Sequence, residues 1–227
     1  MPRQKIPKDL TMMWAKQERL YIDVFIKSLN RLEAKTFIKS DEAKISLFLC
    51  PILSEVCSEE SIKKGITIPA PDWEKPIQPT NVDELNKCEY GKRPDFTCKI
   101  VNPFVSNRDA REICLHIECK RLGEAPSKSW NLNKNYVKKG VVRFDSIEHN
   151  YGKSAVSGIM IGYIESMLPD QILKEVNFYI KKYYGNGCPI MYKCTHGKVQ
   201  KLYQQLKRKN ILPMPFKLTH LWIDLKV

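Results

Sequence analysis

The stretch that decides the fold reads Arg93-Pro-Asp-Phe-Thr-Cys-Lys-Ile100, then a polar connection, then Ile113-Cys-Leu-His-Ile-Glu-Cys-Lys-Arg-Leu122. Both segments are short and apolar at alternate positions, and turn-forming residues stand between them, which predicts a β-hairpin. Because strand side chains alternate between faces, Glu118 and Lys120 lie on one face of the second strand. If the two strands pair, we expect Asp95 of the first strand to join them on the same side of the sheet.

This convergence has a chemical use. Two carboxylates at one point repel each other unless a cation lies between them. Mg²⁺ takes oxygen ligands, typically one or two carboxylates together with waters and phosphate oxygens of a substrate. A lysine beside such a pair can hold or activate a water molecule, so the set predicts metal-assisted hydrolysis of a phosphodiester. The alternative for either carboxylate taken alone is an ordinary charge on the solvated face of a half-exposed hairpin.

The hairpin resembles the PD-(D/E)xK nuclease superfamily, which has the restriction-endonuclease-like fold. The motif residues are Pro94-Asp95 and Glu118-Cys119-Lys120. The flanking segments are also similar to that superfamily: an upstream helix with Asp41-Glu42, and downstream stretches at 135–144 and 157–164. The resemblance covers roughly residues 40–165. It implies an α/β fold in which a central mixed β-sheet is flanked by helices, on a restriction-endonuclease-like core.

The resemblance also implies roles for the residues that match the motif. Asp95, Glu118 and the backbone carbonyl of Cys119 would bind Mg²⁺, with Mn²⁺ as a substitute. Lys120 would position or activate the attacking water and screen the developing charge. A glutamate of the first core helix often completes such a site, and Glu42 is the candidate, with Glu55 as the alternative. The implied activity is that of a DNA endonuclease, of the type II-like restriction or phage-defence kind.

The charge of the chain agrees with a polyanionic partner. The 227 residues hold 38 Lys and Arg against 25 Asp and Glu, a net charge of +13. Such an excess favours nucleic acid as the partner. The excess is +5 over residues 120–153 and +8 over residues 170–227. Lys139 and Arg143, predicted as i,i+4 neighbours on one helix, are the candidate contacts to the DNA backbone. The alternative for each is a solvated basic face.

Hydrophobic periodicity predicts the remaining elements. We expect residues 1–35 to form an N-terminal helix packed on the core and residues 36–227 to form the nuclease domain. A dimer contact, hence a homodimer, or an arm beside DNA are the alternatives for that first helix. The predicted helices span about 7–33, 40–57, 170–184 and 198–210, and residues 133–151 are predicted to be helical in part. The further predicted strands span 157–164, 189–195 and 217–225.

Two further patterns bear on location. No segment approaches the ~20 apolar residues that cross a bilayer, and the basic N-terminus lacks an apolar signal core, so we expect no membrane partner and a cytoplasmic protein. Eight scattered cysteines are typical of buried free thiols in a reducing compartment. The spacing of Cys188, Cys194 and His196 offers only three ligands for zinc, which makes a structural zinc site the weaker interpretation.

One alternative function stays open at this point. A non-catalytic subunit that binds nucleic acid or takes part in an assembly could keep the same fold. The presence of Asp95, Glu118 and Lys120 together favours the enzyme.

Overall fold

The computed structural model describes most of the chain. The described residues are 8–33, 41–77, 92–101, 112–127, 129–153, 155–211 and 214–226. The predicted hairpin connection (102–111) and residue 40, where the second predicted helix begins, lie outside them. Within the described residues a seven-stranded mixed β-sheet is flanked by four α-helices, which confirms the predicted fold class.

The sheet has the strand order β1-β2-β3-β4-β7-β6-β5. Strand β3 pairs in parallel with β4, and β4 pairs in parallel with β7, whereas the other pairs are antiparallel. The predicted pairing of the two hairpin strands is therefore correct, and the predicted strand over 157–164 lies beside the Glu118 strand. The strands are β1 Asp72–Trp73, β2 Phe96–Val101, β3 Glu112–Leu122, β4 Ser157–Ile164, β5 Met191–His196, β6 Val199–Leu206 and β7 Phe216–Asp224.

Helices cover both faces of the central strands, and all eight residues of β4 are buried. Parallel strands are generally buried on both faces, so they appear in sequence as continuous apolar runs. Two glycines of β4 make room for neighbouring side chains, because a Cβ on Gly158 would lie 2.5 Å from the Phe144 ring and one on Gly162 would lie 2.6 Å from Trp222. The helices are α1 Lys8–Asn30, α2 Glu42–Lys64, α3 Leu132–Lys138 and α4 Pro169–Tyr184.

Helix α1 packs directly on the sheet. Its Trp14 indole donates a hydrogen bond of 2.7 Å to the hydroxyl of Ser157 on β4. Further along, the Phe25 ring meets Phe96 of β2 edge to face, with 5.7 Å between the ring centroids. At its C-terminal end the Asn30 side chain binds the turn between β5 and β6. The apolar face of α1 is thus part of the same core as the sheet.

The first turn of helix α2 lies beside the end of β3. Asp41 caps the helix, because its carboxylate accepts a hydrogen bond of 2.8 Å from the backbone of Lys44. The helix continues through Pro51 to Lys64, beyond the predicted end at residue 57, and Gly65 stops it in the left-handed conformation (φ 63°). None of the described helices is long and apolar enough to cross a membrane.

The segment predicted to be partly helical over 133–151 forms one short α-helix and a separate 3₁₀-helix. Helix α3 ends at Lys138, and a 3₁₀-helix follows at Val141–Asp145. The break lies at Gly140, where an added Cβ would collide with the Tyr136 carbonyl and lie 2.6 Å from Met160. Close packing at Gly140 therefore replaces a regular helical turn, and Lys139 and Arg143 are not i,i+4 neighbours on one helix as predicted.

The helix predicted over 198–210 is wrong, because residues 199–206 form strand β6. Gly197, with a φ of 62°, turns the chain directly from β5 into β6. Strand β6 then pairs with β7 along its full length. This tertiary pairing overrides the helix propensity of a segment rich in lysine, glutamine and leucine.

A buried polar chain links α3 to the last two strands. The Trp222 indole donates to the Tyr136 hydroxyl at 2.9 Å, and that hydroxyl lies 2.7 Å from Nδ1 of His220. Nε2 of His220 lies 3.2 Å from the side-chain oxygen of Gln204. The Gln204 amide donates to the Cys188 carbonyl, so its oxygen faces the imidazole as an acceptor. The network therefore requires a neutral His220 that carries its proton on Nε2.

The described cysteines are all free. Cys188 is buried, and its sulfur accepts a hydrogen bond from the backbone of Lys207. Cys194 lies instead on the exposed edge strand β5, with its sulfur 3.3 Å from Nε2 of His196. The described residues hold no group of three or more His, Cys, Asp or Glu side chains arranged for a metal ion.

Candidate active site at the end of strand β3

The register between β2 and β3 sets the site. Phe96, the first residue of β2, pairs with Ile117, so Asp95 stands opposite Glu118. The Asp95 carboxylate accepts a hydrogen bond of 2.5 Å from the backbone N–H of Cys119. The structure thus brings Asp95 and Glu118 to one point, as the alternation of the two strands predicts.

The edge of β3 that faces β2 has no strand partner beyond Ile117 within the described pairing. Site side chains take that place. Asp95 accepts from the N–H of Cys119, and Lys120 donates to the Cys119 carbonyl at 2.6 Å. Glu42 accepts from the N–H of Arg121 at 3.2 Å. The short β2 strand therefore leaves backbone groups that the polar side chains of the site satisfy.

Lys120 lies at the centre of this cluster. Its ammonium is 2.6 Å from Oε1 of Glu118 and 2.6 Å from Oε1 of Glu42. Burial by itself would lower the pKa of Lys120, but the nearby carboxylates of Glu118 and Glu42 outweigh it, and the pKa is raised. Lys120 therefore stays protonated at neutral pH, which favours a role in orienting a water and stabilising negative charge over a role as a proton acceptor.

Glu118 is completely buried, and its two oxygens differ. Oε1 binds the ammonium of Lys120 and the guanidinium of Arg143. Oε2 is buried and has no hydrogen-bond partner among the described residues. Burial, and then the charge of Asp95, raise the pKa of Glu118. The pKa of Asp95 is raised by burial as well. Within the described residues, one oxygen of Glu118 is therefore paired with two cations and the other has no hydrogen-bond partner.

These carboxylates fit a hard divalent cation. An unsatisfied carboxylate oxygen is costly in a buried site, and a cation at that oxygen would remove the cost. Two carboxylates with the remaining positions filled by water and phosphate oxygens are a common donor set for Mg²⁺. The Cys119 carbonyl, the third predicted ligand, accepts its hydrogen bond from Lys120. The residues present therefore fit Mg²⁺ through Asp95 and Glu118 first.

Glu42 and its alternative Glu55 are separated by the structure. Glu42 begins α2 and reaches Lys120 and the N–H of Arg121. Glu55 lies on an exposed part of α2, 4.0 Å from Arg31. Only Glu42 belongs to the cluster, and its nearest described contacts are hydrogen-bond donors.

Two clefts meet at the site. They share Glu42, Lys120 and Arg143. One cleft also holds Asp95 and runs toward the turn at 148–151. The other holds the two predicted DNA contacts and is lined by Glu42, Lys120, Arg121, Trp130, Leu132, Asn135, Lys139 and Arg143. Lys120 therefore lies on the border that the two clefts share.

The two predicted DNA contacts have different surroundings. The Arg143 guanidinium binds Glu118, a contact that the sequence did not indicate. The ammonium of Lys139 lies over the Trp130 ring, 4.2 Å from its centroid. Both side chains line one cleft, although they do not share one helix.

Several residues of the site were missed at the level of sequence. Tyr151 donates a hydrogen bond of 2.6 Å to the Arg93 carbonyl, which attaches the turn after the 3₁₀-helix to the start of the hairpin. His149 and Trp130 line the clefts. All three lie outside the described helices and strands, so no periodicity could have indicated them.

Comparison of the chain with protein-family models, with curated proteins and with solved structures found no match.

Proposed function

We propose that the chain is a Mg²⁺-dependent nuclease of the PD-(D/E)xK kind that hydrolyses phosphodiester bonds in DNA at Asp95, Glu118 and Lys120. The observation that carries the proposal is the buried Oε2 of Glu118, which has no partner among the described residues and belongs to a carboxylate opposite Asp95. A carboxylate pair that holds a cation beside a protonated lysine is an arrangement that can catalyse phosphodiester hydrolysis.

Each side chain has a task in this chemistry. Asp95 and Glu118 would hold the metal ion. Mg²⁺ bound there would polarise a phosphoryl oxygen and neutralise the charge that develops on it. Lys120 orients the attacking water and stabilises negative charge, since its ammonium stays protonated. Glu42 accepts a hydrogen bond from Lys120 and so fixes the direction of that ammonium.

The charge of the chain supports a nucleic acid substrate. The net charge is +13, and the cleft that Lys120 lines is also lined by Arg121, Lys139 and Arg143. Lysine and arginine bind phosphate oxygens and release condensed counterions from DNA. The type II-like restriction or phage-defence role rests on the sequence resemblance, and the cleavage products of the purified protein would define it.

The test is cleavage of supercoiled plasmid DNA by the purified protein in Mg²⁺ and in EDTA. Asp95→Asn and Glu118→Gln should each abolish cleavage, because each removes a charge that holds the metal. Glu165→Gln is the matched control, since Glu165 is a partly buried carboxylate that pairs with Arg121 and does not contact Asp95, Glu118 or Lys120 in the described hydrogen bonds and ion pairs. Circular dichroism and thermal melting establish that each variant is folded.

Two outcomes would contradict the proposal. Near-normal cleavage by a folded Glu118→Gln variant would remove the assigned site. A wild-type protein that binds DNA but never cleaves it in Mg²⁺ or Mn²⁺ would identify the chain as the non-catalytic binding subunit.

A further inference from the structure

Trp130 is an exposed aromatic residue beside the site. Its side chain is 44% exposed and lines the same cleft as Lys120 and Arg143. Large aromatic side chains usually lie inside a protein, so an exposed indole in a cleft marks a candidate ligand contact. The other exposed tryptophan, Trp73, is 40% exposed and lines neither cleft.

Backbone hydrogen bonds hold the segment around Trp130. The N–H of Trp130 donates to the Ser127 carbonyl at 3.1 Å, which closes a tight turn. The next residue, Asn131, caps α3 by accepting a hydrogen bond of 2.7 Å from the backbone of Lys134. The backbone of Trp130 is therefore hydrogen-bonded to Ser127 on one side and directly precedes a helix cap on the other.

The surroundings of the ring indicate the chemistry of that ligand. The Lys139 ammonium lies on the indole, and Arg121, Lys120 and Arg143 line the same cleft. Cations that bind phosphates next to an aromatic surface that stacks bases are the combination used to bind single-stranded nucleic acid. A neutral apolar ligand would not need the cations, and a phosphate alone would not need the indole.

The position of the ring restricts the form of the substrate. Bases inside a duplex are already stacked on their neighbours, so a base reaches an indole only when it is unpaired. We propose that Trp130 stacks on an unpaired nucleobase next to the phosphate at Lys120, and that the preferred substrate is a single strand or an unpaired region of DNA. This inference rests on the proposed function, since it places the scissile phosphate at Lys120.

The test is binding of a fluorescein-labelled single-stranded oligonucleotide, and of the same strand in a blunt duplex, measured by anisotropy in Ca²⁺ with the probe verified as intact. Trp130→Ala should weaken single-strand binding about ten- to a hundredfold, the usual loss for one stacked base. Trp130→Phe keeps a ring and should retain most of the affinity. Trp73→Ala is the matched control and should bind as the wild type does.

Binding to the blunt duplex should change by no more than about twofold in all three variants, because no unpaired base is present. The proposal is overturned if Trp130→Ala binds the single strand as tightly as the wild type, or if it loses single-strand and duplex binding equally. A failure of the proposed function gives a different result. Unchanged single-strand binding by Trp130→Ala, with normal Asp95-dependent cleavage by the wild type, refutes only the inference. Selective single-strand binding that depends on Trp130, without any cleavage, refutes only the nuclease.

Discussion

The buried imidazole of His220 should make the fold sensitive to acid. His220 is fully buried between Tyr136 and Gln204. Burial lowers its pKa from 6.5 to about 3, and burial of His116 lowers that pKa to about 4. Between pH 6.5 and these lowered pKa values, each histidine therefore stays neutral in the folded state but binds a proton in the unfolded chain. The contribution of each histidine to stability is intact above that pH and is lost as the pH falls toward the folded pKa.

The size of the effect follows from the two pKa values. Each pH unit between the unfolded and folded pKa costs about 1.4 kcal/mol per histidine. At pH 5 the loss is therefore about 2 kcal/mol for His220 and about 2 kcal/mol for His116. Burial raises the pKa values of Asp95 and Glu118, and this acts in the opposite direction, because acid that protonates a buried carboxylate relieves an electrostatic cost of the folded state. The pH dependence of the unfolding free energy is thus the sum of these opposing contributions. A variant that lacks the histidine is needed to measure the contribution of His220 alone.

The assay is urea unfolding followed by circular dichroism at pH 7 and pH 5. His220→Gln removes the titrating group and should reduce the loss of unfolding free energy between the two pH values by about 2 kcal/mol relative to wild type. The overall stability of the variant is expected to be lower, but only the pH difference is compared. His196→Gln is the control, because His196 is exposed on strand β5. The same pH difference in His220→Gln and in the wild type would refute the buried neutral imidazole.

Two further predictions concern catalysis and binding. Lys120→Ala should lower the turnover number far more than the affinity for DNA, because the ammonium acts on the water and on developing charge, and steady-state cleavage kinetics separate the two effects. A change confined to affinity would make Lys120 a phosphate contact. Replacing Lys139 and Arg143 together with glutamine should reduce the slope of log affinity against log salt by about 0.9 for each lost phosphate contact. Replacing Lys16 and Lys27 of α1 should leave that slope nearly unchanged, and the reverse result would place the DNA surface on α1.

The core of the site could be predicted because it depends on local alternation. Two strands with a period of two place Asp95, Glu118 and Lys120 on one side whenever they pair in this register, and the observed register is that one. Strand β4 was predicted with its observed bounds, because a buried parallel strand is an uninterrupted apolar run. The sequence also placed Glu42 in the first turn of the helix that reaches the site.

The failures come from interactions between distant segments. Residues 199–206 form a strand because β7 pairs with them, and nothing in their own composition requires it. The contact of Arg143 with Glu118 depends on how the 3₁₀-helix returns over β3. Trp130 lies in a turn, where neither helical nor strand periodicity applies. Local pattern therefore predicted that the carboxylates and the lysine lie together. The residues that line the clefts around them could be identified only from the three-dimensional structure.

The attachment of α1 has a consequence for how the chain acquires its structure during synthesis. Trp14 hydrogen bonds with Ser157, and Asn30 binds the turn at Gly197 and Lys198, so both ends of α1 wait for partners more than 140 residues later. The central strand β4 likewise needs β7, which lies beyond residue 215. Helix α1 can pack against α2 as soon as both have emerged, but the part of its surface that contacts β4 and the β5–β6 turn stays exposed until these later segments leave the ribosome. Chaperone binding to that helix, and a yield that depends on translation speed, are the expected consequences.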